Sequence, residues 1–277
     1  MKKNVIVITG GGSGMGLETA KLMTKESHII LVGRTVAKLD DALGQLHDCG
    51  LSAEAYPADI SDRDSVKNLA VYAASLGQVK TVIHAAGVSP HMTDSMSIFK
   101  INALGTIIMD EAFLPIMEQG GCILNVTSMS AYMLPDTHVP TALYQLSLTD
   151  TSAFMAGAKQ MFDSMPNDQA AGFAYSLSKN FAKWYTEKIS LQAGKKGIRV
   201  VSISPGTFDT PLGKTEGDSA AKYALMGALG RVGDPAEIAK MMAFIVSNDA
   251  SYLTGVDILY DGGTIAAMKE MQEHKAQ

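Results

Sequence analysis

Residues 5–17 read Val5-Ile6-Val7-Ile8-Thr9-Gly10-Gly11-Gly12-Ser13-Gly14-Met15-Gly16-Leu17: an apolar β-branched run that breaks into glycines and continues as a helical pattern. A short, continuous apolar run of this kind suits a strand buried on both faces. Glycines at 10, 14 and 16 let the backbone turn tightly and approach a pyrophosphate closely. The helix that follows then turns its N–H groups and positive dipole end toward the phosphates. A glycine-rich run alone says little. Its place, after the first strand and at the opening of a helix, makes it a dinucleotide-binding signal. Gly10, Ser13, Gly14, Met15 and Gly16 are therefore cofactor-binding candidates.

The same rhythm continues outward. Further strands are expected at His28–Val32, Ala53–Ala58, Thr81–His84, Cys122–Val126, Arg199–Ile203 and Asp257–Tyr260. Helical patterns occupy Gly14–Lys25, Ala37–Leu46, Ser65–Ser75, Met96–Met117, Ala171–Ala193 and Pro235–Val246. Apolar strands alternating with helices imply an α/β fold with a doubly wound parallel sheet covered on both faces. No repeat, low-complexity tract or linker divides the chain, so residues 1–277 read as a single domain. Residues 130–170 break the rhythm. They hold Pro135, Pro140 and Pro166 with helical fragments between, and a structureless loop of that length is rare in a compact domain. A helical insertion is expected there.

Composition narrows the function. Apolar residues make up 47% of the 277 and charged residues 18%, which excludes a disordered chain or a fibre. A net charge of −5 gives no support to nucleic-acid or anionic-membrane binding. The apolar start is cut off at Gly10, too soon for an export signal, and no segment reads as a membrane span. The two cysteines, Cys49 and Cys122, form no CxxC and no histidines cluster, so free thiols in a reducing, cytoplasmic setting are expected and no metal site.

From Thr9 onward the chain resembles the short-chain dehydrogenase/reductase family. The glycine run fits its TGxxxGxG pattern. Asp59-Ile60 stands at the adenine contact, and His84-Ala85-Ala86-Gly87 where the family usually has Asn-Asn-Ala-Gly. Asn102 matches the catalytic asparagine, and Ser128, in Asn125-Val126-Thr127-Ser128, the catalytic serine. Tyr175-Ser176-Leu177-Ser178-Lys179 is the YxxxK motif. Residues Ser204 to Pro211 match the nicotinamide contact, and Thr254-Gly255 with Asp261-Gly262-Gly263 the C-terminal signature. The resemblance implies a Rossmann-type sheet of about seven strands. It implies catalytic Asn102, Ser128, Tyr175 and Lys179, and adds Asp59, Ile60, Ala85, Ala86, Gly87, Tyr175, Lys179, Pro205, Gly206, Phe208 and Thr210 to the cofactor-binding set.

The chemistry is coherent. Tyr175 and Lys179, four apart on a helix, share a face. A phenol of pKa near 10 is a poor base at neutral pH, and a neighbouring ammonium favours its phenolate. Tyr175 can then exchange a proton with the substrate oxygen as hydride moves, Ser128 can hold that oxygen in line, and Asn102 is expected to position a water behind Lys179. Where NAD-preferring folds place an acid after the second strand, this chain has Gly33 followed by Arg34, a partner for a 2′-phosphate. NADP(H) is expected over NAD(H).

Three departures stand out. His84 and Ala85 replace two asparagines, and Ser202 stands where an asparagine is common. Ser128 and Tyr175 are 47 positions apart, far beyond the usual spacing, which resembles a helical-insertion subset of bacterial 3α-hydroxysteroid dehydrogenase/carbonyl reductases. Met129, Met133, Met155 and Met161 in the insertion suit an adaptable apolar wall or ordinary packing. The segment 207–230, glycine-spaced and following a strand end, reads as a substrate lid. The expected function is interconversion of a secondary alcohol with its ketone, on an apolar hydroxysteroid-like or general carbonyl substrate. A 3-oxoacyl-thioester reductase and a non-catalytic NADP(H) sensor are the alternatives. A small-molecule ketone or alcohol is the partner, and the insertion favours a homodimer over a tetramer.

Overall fold

The computed structural model describes residues 3–215 and 217–276. In chain order the elements are β1 (Asn4–Thr9), α1 (Gly14–Ala20), β2 (Ser27–Gly33), α2 (Val36–Asp48), β3 (Ser52–Pro57), α3 (Arg63–Leu76), β4 (Gln78–His84), α4 (Ser95–Phe99), a π-helical turn (Lys100–Leu104), α5 (Gly105–Phe113) and β5 (Cys122–Val126). Then follow α6 (Thr141–Leu146), α7 (Thr151–Asp163), α8 (Asn167–Gly194), β6 (Arg199–Pro205), α9 (Pro211–Thr215), α10 (Gly217–Met226), α11 (Pro235–Val246), β7 (Asp257–Tyr260) and α12 (Thr264–Ala276). The seven strands pair in the order β3-β2-β1-β4-β5-β6-β7, all parallel.

The strand pattern explains the layers. Side chains alternate across a strand, and in β1 Val5 and Val7 enter one core while Ile6 and Ile8 enter the other. The first core lies under α3, α5 and α8, and the second under α1, α2 and α11. Helix starts are fixed by side-chain caps. Asp62 accepts from Asp64 N and Ser65 N, and Asp234 forms a capping box with Glu237 ahead of Pro235. No helix among the described residues is long and apolar enough to cross a membrane.

Two expectations are adjusted. The long helix expected over Met96–Met117 is interrupted by the π turn at Lys100–Leu104, where Thr106 Oγ1 donates to the Asn102 carbonyl at 2.8 Å. The insertion is helical, but its large side chains serve mostly the core. Phe154 sits 5.1 Å from the Phe99 ring and 4.6 Å from Phe181, and Phe162 sits 5.5 Å from Phe99. Met155 and Met161 pack against that core too, leaving Met129 as the methionine of the stretch that reaches the cavity described next.

Candidate active site

Strand ends β1, β2, β4, β5 and β6 open onto a cavity of about 390 Å³. At the carboxyl edge of a doubly wound sheet this is where ligands bind. The cavity lining contains every site residue expected from the sequence except Asn102: Gly10, Ser13, Gly14, Met15, Gly16, Arg34, Asp59, Ile60, Ala85, Ala86, Gly87, Ser128, Tyr175, Lys179, Pro205, Gly206, Phe208 and Thr210.

The glycine loop is shaped as the dinucleotide reading requires. Gly10 has φ +67°, and a Cβ there would stand 2.9 Å from the carbonyl carbon and oxygen of Ala85. Any side chain would push β1's exit away from β4's. The loop therefore lies bare against the chain after β4, with its N–H groups leading into α1.

Two neighbouring elements carry most of the side chains expected to be catalytic. Tyr175 and Lys179 stand one turn apart on α8, with Lys179 Nζ 5.9 Å from the Tyr175 ring centroid. Lys179 Nζ also donates to the Val126 carbonyl of β5 at 3.1 Å. Ser128 begins the turn after β5, where its Oγ accepts from Ser130 N at 3.2 Å. Asn102 lies just behind the wall. Its Oδ1 accepts from Val88 N at 3.0 Å, and its Nδ2 donates to the Val88 carbonyl at 3.0 Å and to Ser178 Oγ at 3.3 Å. Its Oδ1 and Lys179 Nζ would lie 3.1 and 3.4 Å from a Cβ at Gly87, so Gly87 is the gap through which the two face each other.

The departures fit locally. His84 Nδ1 bonds to Thr9 Oγ1 at 2.9 Å, and Thr9 Oγ1 accepts from Ala86 N at 3.1 Å. Burial, helped by the Lys179 charge, holds the imidazole neutral with a pKa near 3. Ser202 donates to Asp257 at 2.5 Å across β6 and β7.

The far end of the cavity takes its charge from Arg34 and Lys38. Burial alone would push the Asp59 carboxyl up. Hydrogen bonds from Ser61 N and Oγ, with the charges of Arg34 and Lys100, outweigh it and hold the carboxyl below its ordinary value.

Residues 4–140 match the family model described as short chain dehydrogenase, and residues 156–264 the one described as Enoyl-(Acyl carrier protein) reductase. A short-chain dehydrogenase/reductase of Alternaria brassicicola is 30% identical over 272 residues, covering 96% of this chain and 97% of that protein. The chain belongs to the short-chain dehydrogenase/reductase family. It is thus an oxidoreductase of the kind that acts on CH–OH donors with NAD(P)+ as acceptor. The 3-alpha-hydroxysteroid dehydrogenase/carbonyl reductase of Comamonas testosteroni is 27% identical over 275 residues, covering 97% of this chain and 99% of its own. A short chain dehydrogenase from Burkholderia cenocepacia, solved in complex with NADP, shares the fold at a TM-score of 0.74 and 20% identity, covering 95% of this chain and 97% of that one.

The cavity also has lining residues beyond those expected from the sequence as catalytic or cofactor-binding. Lys38 and Thr35 line the cavity beside Arg34, and Met92, Leu212 and Thr215 line it too. Lys38 was legible as a second cation four positions after Arg34, on the first turn of α2. Met92 was not, because only the fold brings the loop after β4 against α9, where Ser89 Oγ and Thr215 Oγ1 meet at 3.2 Å.

Proposed function

We propose that the chain interconverts an apolar secondary alcohol and its ketone by hydride transfer, with Tyr175 as general acid/base and NADP(H) as the favoured cofactor. One observation carries the reading: Ser128, Tyr175 and Lys179 line the same cavity as the glycine loop. A bound nicotinamide supplies or accepts the hydride. The bare loop at Gly10 leaves room for a pyrophosphate, and Arg34 and Lys38, with no acid at Gly33, suit a 2′-phosphate. Lys179 favours the phenolate of Tyr175, so that its Oη takes the alcohol proton or returns it to the ketone oxygen. Ser128 Oγ holds that oxygen in line. Asn102, its amide engaged with Val88 and Ser178, faces Lys179 across Gly87 and is placed to position a water behind it.

Met92, Met129 and Leu212 give the substrate end an apolar wall, which supports an alicyclic or hydroxysteroid-like ketone. The named activity of the Comamonas testosteroni relative and the helices between Ser128 and Tyr175 support the helical-insertion subset. Two basic side chains that a carrier-bound acyl thioester could use are already paired, Lys214 with Asp209 at 3.0 Å and Arg231 with Glu237 at 2.7 Å.

The test is NADPH oxidation across steroid, alicyclic and aromatic ketones, quinones and acyl thioesters. Turnover of at least one apolar ketone is expected. Tyr175→Phe should lose on the order of 10²–10⁴-fold in kcat while still binding NADPH. Tight NADPH binding without turnover of any ketone would favour the sensor reading instead.

A further inference from the structure

Asp110 lies on α5 with no exposed surface, away from the cavity lining. Its Oδ2 accepts from Asn125 Nδ2 of β5 at 3.0 Å, and the same amide nitrogen donates to Thr186 Oγ1 of α8 at 3.1 Å. The other oxygen of each group, Asp110 Oδ1 and Asn125 Oδ1, is buried without a hydrogen-bond partner. A carboxylate is acceptor-only and cannot satisfy its neighbour's carbonyl. A carboxylic acid can. One proton on Asp110 Oδ1, donated to Asn125 Oδ1, closes a reciprocal acid–amide ring and satisfies both orphaned oxygens. Turning the Asn125 amide over sets its oxygen against the carboxyl and still requires a proton between them.

We infer that Asp110 is a neutral hydrogen-bond donor that locks α5 to β5 and α8, and is thereby a positioning residue for the active site. The three elements it joins carry the site. β5 runs on to Val126, the acceptor for Lys179, and to Ser128. α8 carries Tyr175 and Lys179 ahead of Thr186, and α5 continues the π turn that holds Asn102.

The surroundings agree. Among the described residues no cation forms an ion pair with Asp110. Glu111 on its own helix repels a second charge, and Arg63 of α3 is engaged with Glu111 at 2.6 Å. From α8 comes Tyr185, whose phenol is itself pushed up, chiefly by burial. His84 of β4, in register with Asn125, is buried and neutral. β5 brings the uncharged Asn125. Burial pushes the carboxyl up to about 7, against the Asn125 hydrogen bond. The unfolded chain, titrating near 3.8, releases this proton first. The stabilisation is therefore complete below that value and lost as pH rises toward about 7.

The protonation state is independent of the substrate; the link to turnover rests on the reading proposed above. The experiment compares wild type, Asp110→Asn and Asp110→Ala by denaturant unfolding and by ketone reduction across pH. The Asn amide can both accept and donate, so it keeps the ring without a titrating proton. The unfolding constant of wild type relative to Asp110→Asn should rise on the order of a hundredfold between about pH 4 and about pH 7. Asp110→Asn should keep kcat, and Asp110→Ala should lower kcat more than it raises KM. Infrared spectra of wild type at about pH 6 should show a protonated-carboxyl band. Parallel pH curves for wild type and Asp110→Asn overturn the inference. So does absence of that band, even if Asp110→Asn does not fold. Unchanged kcat in Asp110→Ala overturns the positioning role alone. Stability behaviour as expected, with no ketone turned over by any variant, counts against the proposed function and leaves the proton in place.

Discussion

At the scale of single residues, cofactor choice turns on Gly33 and Arg34. A Cβ added at Gly33 would meet only the Leu39 side chain, at 3.4 Å, so Gly33→Asp can be built with a small shift of that leucine. Its carboxylate would repel a 2′-phosphate and accept from a ribose hydroxyl. Arg34→Ala should weaken NADPH about tenfold or more, the worth of one charge-assisted hydrogen bond, and leave NADH nearly untouched. Gly33→Asp should reverse the order. Fluorescence titration with both cofactors checks this, and a wild type that binds NADH as tightly as NADPH would refute it. His84 gives a pH prediction. Its folded pKa near 3 lies below the ordinary 6.5, so the unfolded chain takes up the proton first. Stability should fall as pH drops through that window, by up to about tenfold in the unfolding constant per pH unit. His84→Gln should flatten that part of the curve. These residues were legible because each sits at a fixed offset from a strand end. Asp110 was not, since nothing local distinguishes it in Ile108-Met109-Asp110-Glu111 from a solvent-facing acid. Only the packing of α5 against β5 buries it.

At the scale of elements, the seven strands could be read from their apolar runs, while helix lengths and kinks depended on packing. The π turn has no sequence signature. α12 escaped notice because Lys269, Glu270, Gln272 and Glu273 leave its apolar positions without a clear stripe. Caps are better defined. Asp234→Ala removes the side-chain acceptor for Ala236 N and so half of the capping box, leaving the Asp234 backbone N–H to Glu237, and should cost about 1 kcal/mol in denaturant unfolding. The segment 207–230 forms α9 and α10, with Leu225 and Leu229 67% and 65% exposed. Helices this short, with exposed apolar side chains, suit an element that settles over a ligand. Hydrogen exchange should show slower exchange over 211–229 when NADPH and a ketone inhibitor bind. Protection confined to the glycine loop would refute the lid.

At the scale of the whole molecule, the insertion decides which faces remain for association. α7 stacks Phe154 and Phe162 on Phe99 of α4 and covers Phe181 of α8. Tyr144 of α6 donates to the Leu177 carbonyl at 3.2 Å and to Asn180 Oδ1 at 2.9 Å. The flank formed by α4 and α8 is thus occupied by the chain's own residues and cannot serve a second copy without displacing them. Apolar side chains stay open elsewhere. Phe244 of α11 is 46% exposed, Tyr252 fully so, and Val256, next to the edge strand β7, 39%. Exposed apolar side chains on a helix and next to an edge strand favour association there. We therefore expect a homodimer joined through α11 and β7, with no further assembly through α4 and α8. Light scattering should give twice the chain mass, and Phe244→Glu with Tyr252→Lys should give monomers that keep the cofactor site. A tetramer would show that the insertion does not close the α4–α8 flank. A dimer unaffected by the double substitution would move the interface elsewhere.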